Sequence, residues 1–118
     1  MDYENDNVFA KILRGELPCT KVYEDENVLA FNDINPKTPV HVLVVPKAPY
    51  VDFSDFVARA AAAEQAAFWA GVQRTAEATG VAATGFRVVT NNGASAGQIV
   101  FHFHVHIYGG RPLGGRAK

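Results

Sequence analysis

The stretch FHFHVHIYGG, residues 101–110, sets three of the chain's four histidines, His102, His104 and His106, at every second position. Large apolar residues fill the intervals: Phe101, Phe103, Val105 and Ile107. In a strand alternate side chains share a face, so the three imidazoles are expected together and the apolar set opposite them. An apolar face of that kind needs a helical layer to cover it. The stretch therefore reads as a half-buried final strand, residues 99–108, in a sheet backed by helices. Three imidazoles on one face suit metal ligation, phosphate chemistry, or a polar surface with no chemistry at all.

Working outward, the chain supplies the rest of such a domain. NDNVFAKILRGELP, residues 5–18, reads as a short opening helix with Phe9, Ile12 and Leu13 on one side, Gly15 at its end and Pro18 against continuation. Val22 and Tyr23, then NVLAFND (27–33), read as strands around the acidic turn 24–27. After the proline-bearing INPKTP loop (34–39), VHVLVVPK (40–47) is a further strand, with His41 near its start. A long alanine-rich helix is expected between Ser54 and Thr79, packed through Phe68, Trp69 and Val72 and stopped by Gly80. GFRVVTNN (85–92) is a strand that runs into the turn NNGASAG (91–97). Two principal helices beside a five-stranded, mainly antiparallel sheet make an α+β domain.

Composition limits the function. The 118 residues fit a single domain, 1–118, with a short glycine-rich tail, and 48% apolar with 19% charged residues favours a folded chain over a disordered one. Net charge is −1 and the basic residues are scattered, so a nucleic-acid groove is not expected, whereas one nucleotide or phosphate ester needs few charges. Cys19 is alone, which rules out an internal disulfide and argues against a cysteine-built zinc site. The acidic start carries no signal-peptide core, and no apolar run approaches the ~20 residues that span a bilayer. No membrane association and a reducing cytoplasm are the expectations.

The residues around the histidines bear on their chemistry. For a metal, no carboxylate lies close in sequence to complete the set, although His41 is available as a fourth ligand. For phosphate, the small residues of NNGASAGQ (91–98) let backbone N–H groups approach an anion, and Asn91, Ser95 and Gln98 add polar side chains. Asp33 either caps its own loop or accepts hydrogen bonds from ribose hydroxyls. Phe9, Ile12 and Ile34 are core residues by default, or the apolar side of a base pocket.

HFHVHIY resembles the His-φ-His-φ-His-φ-φ pattern, φ being apolar, of the histidine triad family. FNDINPKTPVHVLVVPK (31–47) and NNGASAGQIVFHFHVHIYGGR (91–111) look like the two motif blocks of its Hint-like nucleotide-binding branch, and VFAKILRGELPCTKVYEDENVLAF (8–31) is similar to its amino-terminal block. The resemblance implies the HIT-like fold as a two-fold homodimer. It also implies hydrolysis of purine nucleoside 5'-phosphoramidates, above all adenosine 5'-monophosphoramidates, to nucleoside monophosphate and amine without a metal or other cofactor. By the same resemblance His104 is the nucleophile and passes through a nucleotidyl-histidine intermediate, a backbone carbonyl holding its Nδ1–H. His106 stabilises phosphate and leaving group, and His102 and His41 form the supporting network. Asp33 binds ribose, Asn91 and Gln98 lie near phosphate and leaving group, and Phe9, Ile12, Ile34 and Leu43 surround the base.

Two departures touch specificity. Ile99 stands where Hint-like proteins often carry a serine that touches phosphate, which leaves a backbone donor and removes a hydroxyl. The tail after YGGR is short and lacks a Trp-Pro-rich ending found in some relatives. A dinucleoside-polyphosphate hydrolase, or a nucleotide-binding regulatory protein without required catalysis, is the competing expectation.

Overall fold

Residues 28–31 and 42–46 supply the centre of the sheet because their side chains are apolar on both faces. In the computed structural model, which describes residues 1–115, strands β2 (Val28–Asn32) and β3 (Val40–Pro46) pair antiparallel, with Ala30 opposite Val44 and Phe31 opposite Leu43. β1 (Lys21–Glu24) flanks β2, and β5 (Val105–Gly109) lies between β3 and β4 (Phe86–Val89). The sheet order is β1-β2-β3-β5-β4 and every pairing is antiparallel. This is the expected α+β architecture. Residues 116–118 of the glycine-rich tail lie outside the described residues.

Among the described residues four α-helices cover the sheet, the expected long one being divided and followed by a short one. Helix α1 (Val8–Leu13) is capped by Asn7, whose Oδ1 accepts from the Ala10 N–H at 2.9 Å. The single helix expected over 54–79 is divided into α2 (Phe53–Arg59) and α3 (Ala62–Ala78), with a short α4 (Val81–Thr84) after Gly80. Alanine propensity favours continuity at Ala60 and Ala61, yet both are extended. The break is held by Gln65, whose Nε2 donates to the carbonyls of Val57 and Ala60 and so caps the end of α2. Turning the chain there lets Phe56 and Phe68 enter one core.

The two sheet faces differ. One carries Val28, Ala30, Val42, Val44, Val105 and Ile107 against α2 to α4, with Phe56, Phe68 and Phe103 between the layers. Gly71 of α3 lies so close to β2 that a Cβ there would stand 2.6 Å from Val28 Cγ2. Its expected cost in helix propensity is therefore the condition for close helix–sheet approach. Phe68 belongs to this core, while Trp69 stays 41% exposed. The other face carries Leu29, Phe31, Leu43 and Val45 under Phe9 of α1, and beyond α1 it opens into a cavity.

The opening stretch folds differently from its reading. β5 begins only at Val105, so His102 and His104 precede the regular ladder. Phe103, Val105 and Ile107 do enter the core, but His102 is fully buried and does not line the cavity. Only His104 and His106 do. Period-two alternation holds within a pleated strand, and this segment enters the sheet by an irregular path fixed by other bonds. Phe103 N–H donates to the Tyr50 carbonyl at 2.7 Å, and Thr90 Oγ1 donates to the His104 carbonyl at 2.8 Å.

Candidate active site

The cavity, about 980 Å³, is bounded by α1, the 31–37 loop and the 97–100 turn, with His104 and His106 in its wall. That volume lies within the range of small-molecule sites. Phe9, Ile12, Ile34 and Leu43 all line it, as do Asp33, Asn91, Gln98 and Ile99. Ile34 is not a core residue: it is 91% exposed at the cavity's edge, and Ile99 is 88% exposed there too. Ser95 is exposed and is not part of the wall.

Hydrogen-bond partners dictate where each imidazole carries its proton, since a backbone N–H only donates and a carbonyl only accepts. His41 Nδ1 accepts from the Lys37 N–H at 3.1 Å, so its proton sits on Nε2. That Nε2–H faces His106 Nδ1 at 3.0 Å and, at 3.4 Å, Asp33 Oδ2. His106 therefore accepts at Nδ1 and keeps its own proton on Nε2. His104 is the opposite tautomer: its Nδ1–H donates to the His102 carbonyl at 2.8 Å, which leaves an unprotonated Nε2. One cavity-lining imidazole thus keeps an unprotonated nitrogen, and its neighbour, 5.3 Å away between ring centroids, keeps a protonated one.

His102 serves the site from behind. Its Nε2–H donates to the Pro46 carbonyl at 2.7 Å, and its Nδ1 is 2.6 Å from the Tyr3 hydroxyl. Burial pushes the pKa of all four histidines down, to about 4 for His102 and His106, so the imidazoles are neutral at neutral pH. The His102 carbonyl partly opposes this at His104 by favouring its protonated form.

The remaining residues divide by what their polar atoms already do. Asp33 caps its own loop, since Oδ1 accepts from the Asn35 N–H at 2.8 Å, while Oδ2 lies 3.4 Å from His41 Nε2 at the cavity wall. Gln98 is committed to the turn, since its Nε2 donates to the carbonyls of Val51 and Val100 and its Oε1 accepts from the Gly93 N–H. Its contribution is to shape the loop. Sequence reasoning missed Tyr108, whose ring lies 5.6 Å from and within 6° of parallel to His106 and 4.4 Å from His41. Its place two residues beyond His106 was the available signal. The Lys37 amide and Tyr3 gave none.

Among the described residues, Asp33, His41 and His106 offer one ligand atom each within 4.8 Å of one another. Their hydrogen bonding opposes a cation there. A metal on His41 Nε2 would displace the proton that the Lys37 amide fixes on that nitrogen, and with it the bond to His106.

The depressed histidine pKa values predict acid sensitivity. Between pH 6.5 and about 4 the unfolded chain binds protons that native His102 and His106 refuse, so stability falls as pH falls through this window. For His102, lowered from 6.5 to about 4, the loss is on the order of 3 kcal/mol. Glu24, held near 2 by Lys21 and Lys47, adds its own loss only below its ordinary value of 4.5. Urea midpoints should therefore drop already between pH 7 and 5, and a flat profile over that interval would contradict the neutral, buried histidines.

Comparison with known proteins gives one family throughout. The HIT domain model matches residues 14–113. A HIT-like protein of Azospirillum brasilense is 52% identical, covering 95% of this chain and 92% of its own. The purine nucleoside phosphoramidase of Escherichia coli K12 is 39% identical, covering 92% and 91%. Among solved structures, a HIT family hydrolase from Clostridium thermocellum superposes with a TM-score of 0.88 at 41% identity, covering 96% of this chain and 97% of its own. A histidine triad protein from Clostridium difficile gives 0.84 at 42%, covering 99% and 100%.

Proposed function

We propose, from the premise that this chain belongs to the HIT domain family, that it hydrolyses purine nucleoside 5'-phosphoramidates, adenosine 5'-monophosphoramidates above all. The observation that carries the reading is the tautomer of His104, whose Nε2 lone pair is kept available in the wall of the cavity by the 2.8 Å bond from Nδ1–H to the His102 carbonyl. The kinship with a purine nucleoside phosphoramidase supports the substrate class.

The steps follow from the proton positions. His104 Nε2 attacks the α-phosphorus as the phosphorus–nitrogen bond breaks, and the departing amine takes up a proton. His106 Nε2–H supplies a hydrogen bond to a phosphoryl oxygen or to the leaving nitrogen as charge builds. Water then forms the new phosphorus–oxygen bond and releases His104, and the proton it gives to solvent balances the one the amine took up from solvent. The His41–His106 bond keeps the donor nitrogen of His106 turned away from His41, and Asp33 retains an oxygen for ribose. Phe9, Ile12, Ile34 and Leu43 give the base an apolar surround. No step calls for a metal or cofactor.

A two-fold dimer belongs to the same reading, supported by the exposed indole of Trp69 and the open sheet edge at β4. A monomeric mass by light scattering would remove it. The reading keeps the cytoplasm as compartment, with the lone thiol of Cys19 in its support; no helix of the described residues is long and apolar enough to cross a membrane.

The test is a comparison of substrates on purified, chelator-treated protein. Adenosine 5'-monophosphoramidate should be turned over to AMP faster than diadenosine polyphosphates, with no loss on chelation. Faster cleavage of the dinucleotide would overturn the substrate choice, and activity that needs added metal would overturn the metal-free mechanism.

A further inference from the structure

The nucleophile sits on a segment that the sheet does not hold. β5 starts at Val105, so the backbone of His102–His104 has no ladder partner and is fixed by isolated bonds. One of these comes from the other end of the chain. The Tyr3 hydroxyl is 2.6 Å from His102 Nδ1, and the two rings meet edge to face with centroids 5.6 Å apart. Because His102 Nε2 is taken by the Pro46 carbonyl, Nδ1 is an acceptor and the tyrosine O–H must donate. The imidazole is thereby clamped at both nitrogens in a site with no exposed surface. Its own carbonyl is the group that orients His104.

The amino-terminal segment is itself tethered. Arg14 donates from Nη1 to the Asn5 carbonyl at 2.7 Å, and the Asn7 N–H and Nδ2 donate to the Glu4 carbonyl at 3.3 and 2.8 Å. Residues 3–7 thus form a strap fixed at α1 on one side and at His102 on the other. Tyr3 lies outside residues 14–113, the span over which the family model matches.

We propose that Tyr3 is a positioning residue for the nucleophile: through His102 it fixes the backbone carbonyl that holds His104 in its reactive tautomer. The proposal rests on the reading of His104 given above. It also explains why an imidazole occupies position 102, where a polar side chain is otherwise costly to bury: only a group that accepts at one end and donates at the other can bridge Tyr3 to Pro46.

The test uses the full-length protein and Tyr3→Phe, which keeps the ring and removes only the hydroxyl. Loss of that hydrogen bond should lower kcat about 3- to 10-fold with KM unchanged. The 15N resonances of His102 should move in the free protein, and those of His104 should shift toward a mixture of tautomers. If the wild type fails to cleave phosphoramidates, the nitrogen resonances still decide the proposal, so its failure is separable from that of the functional reading. A lower melting temperature with kcat and the His104 resonances unmoved would make Tyr3 merely structural and overturn the proposal. A rise in KM alone would overturn it as well, by turning the strap into a substrate contact.

Discussion

On the proposed mechanism, replacing His104 with alanine should reduce kcat toward an adenosine phosphoramidate by at least about a thousand-fold, because it removes the atom proposed to form the covalent bond. Nucleotide affinity should hold to within a few-fold, since Asp33, His106 and the apolar wall around the base are untouched. Stability should change little by comparison. The variant frees the His102 carbonyl, whose lost bond is worth about 1 kcal/mol, and removes an edge contact with Phe9 whose centroids lie 4.9 Å apart. Two measurements separate nucleophile from general base. Wild-type protein mixed with substrate and quenched in alkaline denaturant should carry a nucleotidyl adduct on His104, the phosphorus–nitrogen bond being acid-labile. His104→Ala should carry none while still binding AMP in calorimetry. Full turnover by the variant would reject the assignment, and the absence of any adduct with turnover intact in the wild type would convert His104 into a base acting on water.

His106→Ala should be milder, because the donor it removes assists a bond change that another atom makes. The alternating run alone does not distinguish the two histidines, and in the sequence only the family resemblance gives them different roles. The difference comes from their partners: a carbonyl two residues back for His104, and for His106 an imidazole from β3 whose own proton is fixed by the Lys37 amide. What the sequence makes legible is what local pattern dictates. The apolar runs at 28–32 and 40–46 give the central strands, and Gly15 marks the end of α1. The alternating Phe103, Val105 and Ile107 point to the core. Illegible are features set by distant partners. Gln65 divides the alanine-rich helix against propensity, and Pro46 and Tyr3 draw His102 into the interior. Tyr3 is 99 residues from its partner. Ile34 reads as core from hydrophobicity alone, yet the Asp33 turn holds its neighbour Asn35 and leaves the isoleucine at the cavity's edge.

Phe103→Ala should be the most damaging single change to stability, lowering the unfolding free energy by about 3–5 kcal/mol and the melting temperature by about 10 °C or more. The ring is 1% exposed, stacks on Phe56 with centroids 4.8 Å apart and meets Phe68 at 5.1 Å. Its loss opens a cavity between the sheet and α2 and α3, into which a close-packed surrounding relaxes only in part. The cost is set against a total stability of about 5–15 kcal/mol for a domain of this size, so the variant should unfold at markedly lower urea. Phe103→Leu should recover more than half of the loss, because most of the volume returns. A change below about 1 kcal/mol in the alanine variant would show that the core re-forms without the ring. Activity gives a second readout. Phe103 lies between His102 and His104, and its burial together with the 2.7 Å bond from its N–H to the Tyr50 carbonyl helps hold the irregular path along which His102 is buried and His104 lines the cavity. Folded Phe103→Ala should therefore lose kcat at temperatures well below its own melting point, whereas Phe68→Ala, at the same core but remote in sequence from the histidines, should lose stability with kcat preserved in the molecules that remain folded.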